Sequence, residues 1–347
     1  MNVSIGILAY NESGSISATL LSLFQQSLLN QSEPNCAIEV VVVPNGCTDE
    51  TASVARAKLE ELVQTVRPGV RAVVCEVEQS GKSNAWNLYV HEFSDPAADY
   101  LFLMDADIKF LEPHTLRHMI EILEATPSAW VSVDTPVKDV EIKEKKNLLE
   151  RLSVSVSKGG SGVAICGQLY CGRASVLRGI WMPPGLPVED GFLAAMIVTD
   201  RFTSKEVFER IVRAEAASHV FEAYTNPITL LRHEQRIIVG STINAFIYGD
   251  LWANCNQEQD AGSLIKSRNE QDPLWVNQFL QQSYSKHGWW LIPKQFLFRR
   301  FDRLRNYSPF KAILRFPLAI AAFIVDLMVF FQANRRLHKE SGLGYWG

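Results

Sequence analysis

The 347-residue chain has no Gly-x-Gly-x-x-Gly in its first turn, which disfavours a dinucleotide-binding oxidoreductase. It has no Walker loop either. Ser80-Gly81-Lys82-Ser83 matches the last part of one, but the upstream glycine is missing at the required spacing. Cysteine is sparse: none of the six (Cys36, Cys47, Cys75, Cys166, Cys171, Cys255) forms a zinc-type CxxC pair, and Cys166 and Cys171 read as strand residues. Basic excess is lacking, since the formal net charge is -4, and that argues against a general nucleic-acid coat. Met1 is not followed by a charged segment and then an apolar one. No secretion signal is therefore expected, and the thiols read as reduced in a cytosolic setting.

What is present is a folded chain with a sizeable core, 47% hydrophobic and 21% charged. Its length suggests two domains, or one large α/β domain with an appendage. The first 110 residues alternate strand and helix signals. Val3–Ala9 reads as a strand, Asn11-Glu12-Ser13 punctuates it, and Ile16–Gln26 has helical spacing. Ile38–Val43 is a second strand that meets the breakers Pro44-Asn45-Gly46, and Thr48-Asp49-Glu50-Thr51 opens another helix. Val70–Val77 and Tyr100–Met104 complete the pattern, which predicts right-handed βαβ units and a mainly parallel sheet.

Tyr100-Leu101-Phe102-Leu103-Met104 stops at Asp105-Ala106-Asp107. A buried parallel strand would place both carboxylates at its carboxyl end, where open α/β sheets bind ligands. Acids at i and i+2 suit a hard cation bridging phosphate oxygens, and a solvated strand end is the plainer alternative. Further on, Lys138–Lys146 reads as a solvated charge run and Gly159–Gly162 as a flexible turn leading into Val163–Cys166 and Gln168–Cys171. Pro183–Asp190 is a rigid loop ending in two acids at the head of an apolar helix, Phe192–Val198, and simple capping also accounts for Glu189 and Asp190.

The C-terminal third has basic flanks (Lys294, Arg299, Arg300, Arg303, Arg305, Lys311, Arg315) before the apolar run Phe316–Phe331. That run is shorter than the roughly 20 residues of a spanning helix, and Asp326 at a bilayer centre would cost about 2.5–3.5 kcal/mol. An amphipathic or re-entrant helix on an anionic membrane surface is the expectation, with a helix buried against protein as the alternative.

Taken in order, Ala9-Tyr10-Asn11-Glu12, Pro44-Asn45-Gly46-Cys47-Thr48-Asp49-Glu50-Thr51, Gly81-Lys82-Ser83-Asn84-Ala85-Trp86-Asn87 and Asp105-Ala106-Asp107 resemble the motifs of family 2 glycosyltransferases. Gly167-Gln168-Leu169-Tyr170-Cys171-Gly172-Arg173 and Glu189-Asp190 resemble that family's acceptor-side segment and its ED motif, and the likeness covers about residues 3–240. The resemblance implies a GT-A fold: an α/β, Rossmann-like, mixed but mainly parallel sheet flanked by helices, here with a C-terminal helical extension. It also implies a nucleotide-sugar donor lying against Ala9, Tyr10, Asn11, Glu12, Asn45, Lys82, Asn87, Asp105, Ala106 and Asp107. A divalent cation, Mg²⁺ or Mn²⁺, would sit on Asp105 and Asp107, with Asp107 the more direct ligand. Asp190 would take the acceptor proton, giving inversion, and Glu189 would orient the acceptor or adjust that base. Lys82 would offer a point charge to the diphosphate or the donor sugar. His219 or Glu222 falls where a third metal ligand sometimes appears, beside a packed or capping role. Arg232 and Arg236 are candidate phosphate contacts.

Two departures stand out. Asn45 replaces the acid that usually receives the N3–H of uracil, although its side-chain carbonyl could accept that bond, so a UDP-sugar stays favoured over GDP or dTDP donors. Gln235-Arg236-Ile237-Ile238-Val239 keeps only a fragment of the processive Gln-x-x-Arg-Trp motif, which points to single addition to a glycan or lipid-linked acceptor. The expected organisation is a catalytic domain over 1–235 (nucleotide-sugar half to about 110, acceptor half 111–235), a helical extension over 236–310 and an apolar, membrane-associated tail over 311–347. The chain would then be peripheral or monotopic at the cytoplasmic face. A non-catalytic nucleotide-sugar-binding scaffold is the alternative from another class. A nucleotidyltransferase is disfavoured because Ile7–Glu12 is not a Gly-rich nucleotide loop.

Overall fold

Eight strands form a single sheet in the computed structural model, which describes residues 1–31, 36–142, 163–224, 226–305, 307–340 and 343. They are β1 (Asn2–Ala9), β2 (Ala37–Pro44), β3 (Val70–Val74), β4 (Tyr100–Asp105), β5 (Lys109–Phe110), β6 (Val131–Lys138), β7 (Leu169–Arg173) and β8 (Ile211–Phe221). The longer helices are α1 (Ile16–Phe24), α2 (Thr51–Val63), α3 (Lys82–Leu88), α4 (Thr115–Ala125), α5 (Glu189–Val198), α6 (Pro227–Asn254), α7 (Ala261–Gln271), α8 (Trp275–His287), α9 (Lys294–Leu304) and α10 (Pro309–Glu340). The chain divides into two compact units. The first comprises Met1–Pro184, Glu189–Thr225 and Cys255–Ser267, and the second Gly185–Val188, Asn226–Asn254 and Arg268–Gly347.

In the first unit the sheet order is β3-β2-β1-β4-β7-β6-β8-β5. The strands β3, β2, β1 and β4 pair in parallel, as the βαβ alternation predicts, while β7 joins β4 and β6 antiparallel. β1 and β2 are buried almost without interruption, the mark of parallel strands covered on both faces. Their aliphatic side chains form one cluster with Leu20, Leu23, Phe102, Met104, Leu116 and Met119. The order reverses between β1 and β4, so the carboxyl ends of these two neighbours, Ala9 and Asp105, lie at the switch point where such sheets open a crevice.

Several boundaries differ from the sequence reading. α1 stops at Phe24, and β3 stops at Val74, after which Val77 pairs only locally with Asn45. α5 begins at Glu189, three residues before the expected start, so both acids are helical. Val163–Cys166 is not a strand, and Cys166 lies outside β7. There Lys82 Nζ donates to the carbonyl of the next residue, Gly167, at 3.1 Å, and the Gln168 carbonyl accepts the Asp105 N–H at 2.9 Å. Of the Lys138–Lys146 run, Lys138 ends β6 and Asp139–Ile142 is one helical turn. The rest of that run and Gly159–Gly162 fall outside the described residues.

In the second unit α6 and α9 pack against α10. Asn334 of α10 accepts from the Leu291 N–H at 2.8 Å and donates to the Trp289 carbonyl at 2.7 Å. The helix outruns the apolar segment read from sequence. By length and composition alone, Phe310–Lys339 could cross a membrane, and only 22% of its most apolar stretch is buried. Asp326, the residue that counted against burial in lipid, does not join the exposed apolar stripe. It is 4% exposed and accepts from Arg300 Nε at 2.8 Å and Arg299 Nη2 at 3.1 Å, and Arg299 also reaches Glu234 at 2.8 Å.

Candidate active site

The ends of β1, β2 and β4 carry three loops that are fastened to one another. Asn45, buried at the end of β2, donates through Nδ2 to the Ala9 carbonyl at 2.8 Å and accepts the Gly81 N–H on Oδ1 at 3.1 Å. Asn11 accepts the Thr48 N–H at 2.8 Å, and the Glu12 N–H donates to Thr51 Oγ1 at 2.7 Å. These bonds occupy two of the expected donor contacts. The Asn45 carbonyl, read as an acceptor for a nucleobase, is buried and already holds Gly81. Asn87, read as a donor contact, spends its amide on the Met182 backbone, donating at 2.9 Å and accepting at 2.8 Å. Both amides build the frame, and so does the buried Ala9. Tyr10 and Asn11 are exposed on the loop that follows.

Between these loops lies a cluster of charge. Lys82, the first residue of α3, reaches Asp105 at 2.6 Å and Glu189 at 3.0 Å. Asp190 follows at the head of α5, where it also accepts its neighbour Gly191's N–H at 2.7 Å. Burial alone would lower the Lys82 pKa, but Asp105 and Glu189 outweigh it and hold the ammonium charged well above its usual range. Burial raises the pKa of Asp105, with Asp107 and Glu189 adding to it and Lys82 opposing. Burial and then Glu189 raise Asp190, and burial, Asp105 and Asp49 raise Glu12. One lysine therefore faces an excess of crowded carboxylates.

Asp107 is exposed at the strand end, while the intervening Ala106 is buried and its carbonyl accepts from Thr19 Oγ1 at 2.8 Å. The oxygen-rich, mutually repelling set Asp105, Asp107 and Glu12 fits a hard divalent cation, whose remaining positions a diphosphate and water can fill. Among the described residues no three His, Cys, Asp or Glu side chains already converge as a closed metal cage. Glu222 is exposed. His219 is buried, its Nδ1 at 2.7 Å from Asp134 Oδ2 and its Nε2 at 3.3 Å from Gln168 Oε1. Arg232 and Arg236 lie one turn apart on α6 in the second unit, whereas every member of the acid cluster belongs to the first.

One neighbour of the site was read in the sequence only as part of a longer segment, and another was not singled out at all. Gly167 forms part of the site wall, since a Cβ there would stand 3.1 Å from Glu189 Oε1 and 3.3 Å from Lys82 Nζ. Its signal was a glycine directly before the β7 run. Asp134 was overlooked, although an acid following Val131-Ser132-Val133 inside a strand is unusual enough to notice. Behind Lys82, Glu189 and Asp190 lies a void of only about 10 Å³, walled by Trp86 and Tyr170, whose indole N–H and hydroxyl meet at 2.6 Å. It has room for about one water at most.

A mixed sheet with acids at the β1/β4 switch point and a second acidic pair at the head of α5 defines a GT-A-type protein. The family model described as glycosyl transferase family 2 matches residues 4–178, just over half of the 347 residues, and the chain belongs to that family. It is a glycosyltransferase. Among solved structures it is similar to a mannosyltransferase from Pyrobaculum calidifontis in complex with GDP-mannose and Mn²⁺, at 17% identity and a TM-score of 0.56, over 98% of this chain and 87% of that one. It also matches glucosyl-3-phosphoglycerate synthase from Mycobacterium tuberculosis in complex with Mn²⁺, UDP-glucose and phosphoglyceric acid, at 17% identity and a TM-score of 0.46, over 70% of this chain and 79% of that one. The first likeness supports the GT-A fold. No curated protein sequence matches the chain.

Proposed function

We propose that the protein is an inverting, cation-dependent glycosyltransferase that moves one sugar from a nucleotide-sugar donor to a hydroxyl of a glycan or lipid-linked acceptor. The observation that carries this reading is the charge cluster itself, with Asp105 and Asp107 on one side of Lys82 and Glu189-Asp190 on the other. The acceptor oxygen attacks the anomeric carbon while Asp190 takes its proton. The bond from that carbon to the diphosphate breaks, and the electron pair leaves with the diphosphate. A base raised by burial and by Glu189 is better matched to proton removal near neutral pH than an ordinary carboxylate. Glu189, held by Lys82, keeps the acceptor side in register, and Lys82 places a fixed positive charge beside the donor. A divalent ion on Asp105 and Asp107 would supply charge stabilisation to the leaving diphosphate. The mannosyltransferase of similar fold, solved with GDP-mannose and Mn²⁺, supports both the donor class and the cation.

Which base the donor carries is a separate matter, because Asn45 is committed to the frame. UDP- and GDP-sugars therefore both belong in the test. In a thermal-shift screen with Mn²⁺, one nucleotide sugar should raise Tm by several degrees, and Asp107→Asn should remove the shift. If no nucleotide sugar stabilises the wild-type protein with either Mn²⁺ or Mg²⁺, the reading fails.

The membrane reading belongs to the second unit. On α10, Phe310 (78% exposed), Ile313, Leu314, Leu318 and Met328 leave an apolar surface uncovered, and basic residues precede and follow it. A helix of this kind suits the headgroup boundary of an anionic bilayer, with the chain at its cytoplasmic face and the acceptor presented from the lipid.

A further inference from the structure

Asp190 lies in the first turn of α5, and the chain reaches that helix through a single segment. That segment is Pro183-Pro184-Gly185-Leu186-Pro187-Val188, with three prolines in six residues, so it has few conformations of its own. Its last part, Gly185–Val188, belongs to the second unit together with α6. α6 grips it at one point. Gly240 and Asn244 lie one turn apart on the same face of the helix, and both meet Val188. Asn244 Nδ2 donates to the Val188 carbonyl at 2.9 Å. Gly240 lets the backbones approach, since a Cβ there would stand 2.4 Å from Val188 Cγ2 and 3.0 Å from the Val188 nitrogen. Asn244 is 3% exposed and Gly240 is buried, so neither contact competes with water. Glu189 and Asp190 are the next two residues of the chain.

We infer that Gly240 and Asn244 are positioning residues for the catalytic base, and that α6 sets its placement by fixing Val188. The inference rests on Asp190 being that base. A stiff segment transmits a displacement along its length where a flexible one would absorb it. A shift of about 1 Å in a reacting group can cost about 100-fold in rate. Donor binding should share little of the loss, because Asp105 and Asp107 lie at the end of β4 and Lys82, although it also reaches Glu189, stays anchored to Asp105 at 2.6 Å.

The test is steady-state kinetics on the full chain, with the affinity for the nucleotide sugar and Mn²⁺ measured separately by calorimetry. Asn244→Ala and Gly240→Ala are each expected to lower kcat at least tenfold while the donor Kd stays within about twofold. Thr242→Val is the control on the same helix. Among the described residues the Thr242 hydroxyl bonds to Ile238 of its own helix alone, at 2.7 Å, so its loss should leave kcat within about twofold. Adding Val188→Ala to Gly240→Ala removes the crowded methyl groups and should restore at least threefold of the lost kcat. The inference is overturned if Asn244→Ala keeps normal turnover. It is also overturned if Thr242→Val loses as much as the other two, or if donor affinity falls in parallel with kcat. Asp190→Asn, run beside them, separates the two ideas: an active Asp190→Asn enzyme removes the base assignment itself, whereas an inactive one with a normal Asn244→Ala removes only the role of α6.

Discussion

Two ion clusters invite comparison, because they are mirror images in charge. In the first unit one cation, Lys82, stands between two acids, Asp105 and Glu189. In the second, one acid, Asp326, stands between two cations, Arg299 and Arg300. The difference lies in what surrounds them. Around Lys82 further carboxylates are crowded in (Asp107, Glu12, Asp190), and those of Glu12, Asp105 and Asp190 are raised by burial and by acidic neighbours. Asp326 is satisfied: its oxygens accept from both arginines, and Glu234 takes up the remaining reach of Arg299. A cluster left with excess charge of one sign is prepared for a ligand, while a balanced one holds helices together.

Substitutions can break this contrast, and the largest effect is expected at Asp190. Asp190→Asn should lower kcat by about 10³-fold with donor binding intact, the order expected for loss of a general base. Stability should move the other way. Because the folded state raises the Asp190 pKa, it holds that proton to higher pH than the unfolded chain does. The group's contribution to stability is therefore present at low pH and lost as pH rises through the raised value. The neutral amide escapes that loss, so Tm at neutral pH should rise by about 2 °C in a calorimetric scan. A lower Tm would mean that Asp190 is a structural partner.

Lys82→Met comes next. It leaves Asp105 and Glu189 facing each other without a counter-charge and should cost about 3 kcal/mol in denaturant unfolding. Asp326→Asn should cost only about 1–2 kcal/mol, since both arginines are partly exposed, and transfer should continue at the wild-type rate. Equal losses from the two substitutions would erase the distinction drawn between the clusters. The smallest effect is expected on the apolar stripe: Leu318→Gln should weaken sedimentation with vesicles containing anionic lipid by about fivefold, in keeping with about 1 kcal/mol for one side chain at a bilayer interface. Unchanged sedimentation would instead favour a protein partner for α10.

Much of the first unit was legible because its signals are local. Continuous apolar runs, breakers at their ends and acids just beyond them depend on neighbours in sequence, and β1, β2 and β4 appear close to where they were read. The employment of Asn45 and Asn87 was not legible. Their partners are distant in the chain, Asn45 binding Ala9 and Gly81 across 36 residues each and Asn87 binding Met182 across 95. An amide that serves a ligand and one that serves a backbone look identical in sequence. α10 was underestimated for a different reason. The apolar run measures the oily part of a helix, but the helix continues through Arg335, which is exposed, and Arg336, whose long side chain tolerates a half-buried position.

The amide of Asn45 has a further consequence, for the kinetics of ligand capture. It links the end of β1 to the start of α3, so the rim facing the donor is assembled during folding. The entropy of ordering those loops is then charged to the folded state and not to the encounter with ligand. Donor association should proceed as docking onto a standing surface, in a single kinetic phase whose rate scales with donor concentration. Asn45→Ala would return that ordering to the binding step and should appear as slower association, with dissociation little changed.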